Sequence, residues 1–250
     1  MKRSFALLAT IMTTGLVALF GQSGTIQFEE VRKIEIKLEG EMAHLMENMP
    51  KEQRSGKSLY FSPQATIYKE SEEKTEDQNM AMEGENGGIR IMMSAPDNKT
   101  YIDLEKNRII EQKEFMTRMF LIEDDIVQEG WKITGNQKMI LDYSCMEATQ
   151  TDTAGAVTRV WFAPSFPAKG GPSNFCSLPG MVMEVDINDG SQIFLARSVD
   201  MTAPSKDIFK KPSDGKKVTR EEFDTIVEEK MKEMNAGNSA GGTFIIKIKN

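Results

Sequence analysis

One histidine, His44, serves the whole 250-residue chain. A serine or cysteine hydrolase needs a base within reach of its nucleophile, and no Gly-x-Ser-x-Gly elbow occurs, which argues against that chemistry. Zinc held by histidines or paired cysteines is excluded too, as are the phosphate-cradling glycine motifs. Cationic charge is also short, with 31 Lys and Arg against 38 Asp and Glu and a net charge of -7. Removing Lys2 and Arg3 with a leader makes the balance more negative, which argues against a nucleic-acid groove or a lipid-surface patch. Carboxylate pairs for glycoside chemistry stay open, because their separation is a three-dimensional quantity.

What is present begins with Lys2 and Arg3, an apolar run from Phe5 to Phe20, and small residues around Gly21 and Ser23. This is the pattern of a secretory signal peptide over residues 1–23, and it predicts export to the periplasm or the outer membrane. No membrane span is expected once it is cut. Cys145 and Cys176 are the only cysteines. In an oxidising compartment they read either as a disulfide pair or as two buried thiols on strands that never meet.

The mature chain divides into a β domain over 24–212, with a mobile acidic loop at 70–88, and a segment 213–250 of the same domain. Ile34, Ile36 and Leu38 alternate with charge, as in a half-buried strand. Met42, Leu45, Met46 and Met49 fall on one helical face before Pro50, which predicts one short helix. Leu59 to Lys69 reads as strand interrupted by Pro63, at a sheet edge. Turn residues at Asp97-Asn98 and Lys106-Asn107 space a meander through Ile122. Lys138 to Thr149 reads as one strand with Met139, Leu141, Tyr143 and Cys145 on a common face. Asn188-Asp189-Gly190 predicts a hairpin between 181–187 and 191–198. Thr219-Arg220-Glu221-Glu222 is a capping box that opens an amphipathic helix carrying Phe223, Ile226 and Val227. Thr243 to Lys249 is a late β segment. The fold class is therefore mainly β, a β-rich α+β protein. Its curved antiparallel sheet or half-barrel meander carries one short helix and one C-terminal amphipathic helix.

The densest cluster of breaks lies in Gly170-Gly171-Pro172-Ser173-Asn174-Phe175-Cys176-Ser177-Leu178-Pro179-Gly180, which runs into the strand Met181 to Ile187. Its Gly171, Pro172, Phe175, Leu178, Pro179 and Gly180 form a structural motif that aims a strand into a sheet. With Tyr143 to Ala148 and Val160 to Pro167, this stretch resembles the GLPGLI (Porph_ging) family of secreted proteins from Bacteroidetes-type bacteria. The name-giving motif appears as Ser177-Leu178-Pro179-Gly180-Met181-Val182. The resemblance implies a β-rich envelope protein without an established reaction, working alongside a TonB-dependent outer-membrane transporter.

The functional expectation is accordingly a non-catalytic binding or accessory protein, not an enzyme and without a cofactor. Its sheet would offer an apolar concavity lined by Met and aromatic side chains to an apolar ligand, a peptide or an envelope partner. The alternative is a copper(I) protein using Met42, His44, Met46, Met80 and Met82, motivated by the 18 methionines.

Overall fold

Alternation of apolar and polar residues shapes most of the molecule. The computed structural model describes residues 22–34, 51–72, 79–82, 89–92, 98–127 and 130–237, with backbone alone at 79–82, 89–92 and 234–237. The signal-peptide stretch 1–21, the Met42 to Met49 helix with His44, and the late segment 243–249 all lie outside the described residues. No described helix is long and apolar enough to cross a membrane.

The first half of the chain supplies β1 (Gly24–Lys33), β2 (Glu52–Phe61), β3 (Ala65–Glu70), β4 (Asn79–Met82), β5 (Ile89–Met92), β6 (Lys99–Asp103), β7 (Arg108–Phe115) and β8 (Arg118–Asp125). The second half supplies β9 (Lys132–Ile140), β10 (Tyr143–Thr151), β11 (Val157–Ala163), β12 (Met181–Ile187), β13 (Gln192–Asp200), β14 (Lys216–Val218) and α1 (Arg220–Gly237). Twelve strands form one sheet in the order β14-β8-β7-β6-β3-β2-β1-β13-β12-β11-β10-β9, and β4 pairs with β5 separately. The N-terminal strand β1 thus joins two meanders, pairing antiparallel with β2 on one side and β13 on the other. Only the β14–β8 pairing is parallel among the described ladders.

Chain connectivity forces this sheet to curl. Strands β8 and β9 stand ten positions apart in the order, which in a flat sheet is about 48 Å at roughly 4.8 Å per strand. Residues 126–131 alone connect them, and that length of chain reaches about 25 Å at most. The sheet is therefore a deep, open curve whose ends approach each other.

The glycine- and proline-rich stretch fills the inside of that curve. Phe166 meets Phe61 of β2 edge-on at 5.3 Å and Tyr143 of β10 at 4.9 Å. Phe175 meets Phe194 of β13 at 5.9 Å, and Cys176 packs with Ile102 and Ile109 of β6 and β7. Residues 164–180 are thus a plug that ties both meanders together. The main cluster around it includes Ile26, Phe28, Leu59, Phe61, Phe162, Leu178, Met181 and Met183. At the β8 end, α1 lays Phe223 on Phe120, Ile122 and Val218, with Ile226 and Val227 beside them. The capping box forms as its sequence predicts: Glu222 N donates to Thr219 Oγ1 at 3.1 Å, and Thr219 N donates to Glu222 Oε2 at 2.9 Å.

Four sequence expectations are corrected. Pro63 sits in the turn between β2 and β3, which lie in the middle of the sheet and not at its edge. The mobile acidic loop expected at 70–88 begins inside β3 and contains β4, which pairs Met80 with Ile91 of β5. The strand drawn through Met139, Leu141, Tyr143 and Cys145 is a hairpin: Leu141 turns at φ 51° and Tyr143 pairs back on Ile140. The hairpin expected between strands 108–113 and 114–122 forms, but its turn falls later, at Met116 and Thr117, with φ of 48° and 63°.

Candidate functional site

Inward alternation on the concave side places charge where an apolar residue belongs. On β1, Ile26, Phe28 and Glu30 are all buried. On β2, Lys57 takes the register position beyond Leu59 and Phe61; on β7, Glu111 follows Ile109. Tyr68 and Glu70 continue the same face on β3, where Lys57 pairs with Glu70 across the ladder. The result is a polar belt beside the plug, at the end of the curve from which the connections after β1 and β3 depart.

Each charge in the belt has a partner, as burial requires. Arg32 Nε lies 2.5 Å from Glu30 Oε1, and Gln192 Nε2 donates to the same oxygen at 2.8 Å. Lys57 is ion-paired with Glu70. Glu111 binds Lys113 at 3.2 Å and pairs with Arg220 from the first turn of α1. Burial lowers the Lys113 ammonium below its ordinary range, against the pull of Asp224, and the like charge of Arg32 lowers it further. Beside this end, a groove of about 550 Å³ is lined by Asp124, Arg220, Asp224 and Glu228.

Thr66 Oγ1, Tyr68 Oη and Glu111 Oε2 are buried without a hydrogen-bond partner among the described residues, and of these Glu111 has an ion pair to Arg220. The Tyr68 ring is fixed by Phe28 at 6.0 Å and Phe194 at 6.3 Å, yet its buried hydroxyl has no hydrogen-bond partner among the described residues. Burial pushes its phenol well above the ordinary range, and the charges of Glu30 and Glu70 add to this. Such a group costs about 1–3 kcal/mol of stability.

A second network lies on β9 to β12, where Glu147, Trp161 and Glu184 share a cross-strand row. Thr134 Oγ1 and Asn136 Nδ2 each donate to Glu147 Oε2 at 2.6 Å, and Arg159 Nε stands 3.0 Å from Oε1. The Thr134 bond does most to hold the Glu147 carboxyl below its usual range, with Asn136 and Arg159 helping and burial opposing. A depressed carboxylate stabilises the fold above the ordinary glutamate value of about 4.3 and ceases to as pH falls through its folded value. Glu147→Gln should therefore flatten the loss of stability below about pH 4.3, measured by urea unfolding across pH. An acid limb of unchanged steepness would contradict this. Every group in this network is satisfied, so it reads as a structural brace.

The residues singled out from sequence are dispersed. Met42, His44 and Met46 lie outside the described residues, and only the backbone is described at Met80 and Met82. No group of three His, Cys, Asp or Glu side chains fit for a metal ion occurs among the described residues. Cys145 is buried in the main cluster, where burial pushes its thiol up to about 11, and Cys176 packs in another cluster. The two are not joined to each other. Gly171, Pro172, Phe175, Leu178, Pro179 and Gly180 belong to the plug. The belt residues Glu30, Arg32, Lys57, Glu70, Glu111 and Arg220 went unread, since charge on a strand was taken for a solvated face. The available signal was charge at the inward register.

Fold and site together define a β-rich protein built on an open, curled sheet with a charge-balanced polar belt on its inner side. The chain belongs to the family described as "N-glycanase peptide, N-terminal domain", whose model matches residues 74–226. Two solved structures of PNGF-II, in the P21 and C2 space groups, share the fold with TM-scores of 0.52 and 0.53. Each is 14% identical and is matched over 82% of this chain. The chain spans about a third of PNGF-II, 33% and 32% of the two solved chains. No curated protein matches the chain.

This membership corrects the GLPGLI reading. The stretch that carried it, proline and glycine turns feeding an alternating strand, is a plug whose ingredients any curled sheet can use. The expectations of a non-catalytic binding protein and of no enzymatic activity are corrected by the same finding, since the matched family is the N-terminal domain of an N-glycanase and the solved structures sharing the fold are of PNGF-II. The apolar concavity is also corrected, since the plug fills the apolar part and the remainder is polar.

Proposed function

We propose that the chain acts on N-glycosylated peptides in N-glycanase chemistry, and that its polar belt engages the substrate. The observation that carries this reading is the family match across 74–226, more than half of the chain. The belt suits the role, because it combines carboxylate acceptors with Arg, Lys and Gln donors along the inner side of a curved sheet. Buried charges that satisfy one another weakly against their desolvation cost are poor devices for stability, which favours a functional reason for keeping them.

The test incubates the chain with an N-glycosylated peptide of known mass and with its glycan-free counterpart. The glycopeptide should be held in preference and should lose its glycan, read by mass spectrometry and by fluorescence anisotropy. A glycopeptide neither held nor cleaved would overturn the reading.

A further inference from the structure

We propose that the segment Thr243 to Lys249 docks intramolecularly in the groove beside α1, setting its two lysines against the acids there and its apolar side chains against the helix. The groove, of about 550 Å³, is lined by Asp124 of β8 and by Arg220, Glu221, Asp224 and Glu228 of α1. Four carboxylates thus face one guanidinium, and Glu111 already holds that guanidinium. Glu228 also reaches Lys232, but the two side chains are 67% and 72% exposed, so water weakens that pair and leaves the acid open to a second cation. The excess of negative charge selects a cationic occupant. Lys247 and Lys249 supply two cations on a stretch tethered to the end of the same helix.

The helix face supplies an observation independent of charge. Asp224, Val227, Glu228 and Met231 fall at i, i+3, i+4 and i+7, so they share one face of α1 that is half acidic and half apolar. Val227 lies at the margin of the Phe223 cluster, and Met231, half-exposed, joins no apolar cluster among the described residues. The segment has the matching pattern: Phe244, Ile246 and Ile248 alternate with Ile245, Lys247 and Lys249, which puts both lysines on one side of an extended chain and three apolar residues on the other. The lengths also agree. Residues 238–242, Asn-Ser-Ala-Gly-Gly, reach about 17 Å, which exceeds the helix diameter of about 10 Å and lets the chain reverse after Gly237. Seven extended residues cover about 23 Å, the length of roughly fifteen helical ones. Laid back from Asn235, the segment ends beside Glu221, with Phe244 and Ile246 flanking Met231 and both lysines between Glu221 and Glu228.

The experiment treats the full chain with a zero-length carbodiimide, which joins lysine amines to carboxylates in contact, separates monomer from dimer and maps the linked peptides by mass spectrometry. In the monomer, Lys247 and Lys249 should link to Asp124, Glu221, Asp224 and Glu228. Glu229 and Glu233 are the internal control, because they stand on the far face of α1 and lie closer in sequence to the segment, where a tether that merely wanders would find them first. Links to the groove acids should exceed links to these two about fivefold, the weight of two partly exposed ion pairs. The variant Asp224→Asn with Glu228→Gln, at two exposed positions, should lower the remaining links to Asp124 and Glu221 by a similar factor, as should high salt in the unaltered chain. No links to the groove acids, links spread equally over Glu229 and Glu233, or links to Asp124 and Glu221 undiminished in the variant would each overturn the docking. Links found in the dimer alone would also overturn it and assign the groove to the segment of a second copy. None of these outcomes bears on the N-glycanase reading.

Discussion

Gly180→Ala should cost this protein about 3 kcal/mol or more, lowering Tm by roughly 6–12 °C for a domain of this size. A methyl group at that position would stand 2.4 Å from the Ala163 carbonyl oxygen, 2.8 Å from its carbon and 3.0 Å from Pro164 Cα. All three are backbone atoms, so no side chain can rotate away. Relief requires separating the end of β11 from the start of β12, where Ala163 pairs with Met181. Gly171→Ala should behave alike, because its methyl would meet the Phe175 carbonyl oxygen at 2.2 Å. Gly130, with nothing within 4 Å, is the control, and Gly130→Ala should stay within about 0.5 kcal/mol. A Gly180→Ala protein melting within a degree of wild type would show that the plug does not depend on close backbone contact.

Glu111→Ala should be the most damaging change in the belt, by about 2–4 kcal/mol in urea unfolding. The carboxylate is 2% exposed and is the partner of both Arg220 and Lys113. Its removal takes the buried partner from two cations and leaves them only the weaker pull of Asp124 and Asp224, and breaking a buried pair in this way costs about 3–5 kcal/mol when both ends are buried. Arg220 is 36% exposed, so water recovers part of the loss and the lower range applies. Arg220 is the first residue of α1, so the helix also loses its tie to β7. The double variant Glu111→Leu with Arg220→Met should recover much of the loss, because it removes both charges together. A single variant within 0.5 kcal/mol of wild type would mean the pair contributes nothing.

Local signals in the sequence were legible wherever the residue type is demanded by the backbone. Asn188, Asp189 and Gly190 turn at φ of 50°, 49° and 86°, conformations these residues tolerate, and the β12–β13 hairpin is where they announce it. The capping box fixed the start of α1 for the same reason. Met116-Thr117 and Leu141 occupy similar left-handed positions without the residues that advertise them, so the turn of one hairpin was misplaced and the other hairpin passed unseen. Strand order was illegible, and with it the central place of β2 and β3, because only the pairing of β1 with both meanders decides it. The belt escaped for a related reason: its members come from strands and a helix spread between residues 30 and 220. Only the curl of the sheet brings them together.

The most direct measurement is a titration of the isotopically labelled chain with an N-glycosylated peptide, followed residue by residue through backbone amide shifts. The account predicts saturable shifts centred on Glu30, Arg32, Lys57, Tyr68, Glu70 and Gln192, absent when the same peptide lacks its glycan. Shifts confined to the exposed outer strand β9, around Ile133 and Met139, or equal shifts with the bare peptide, would contradict it.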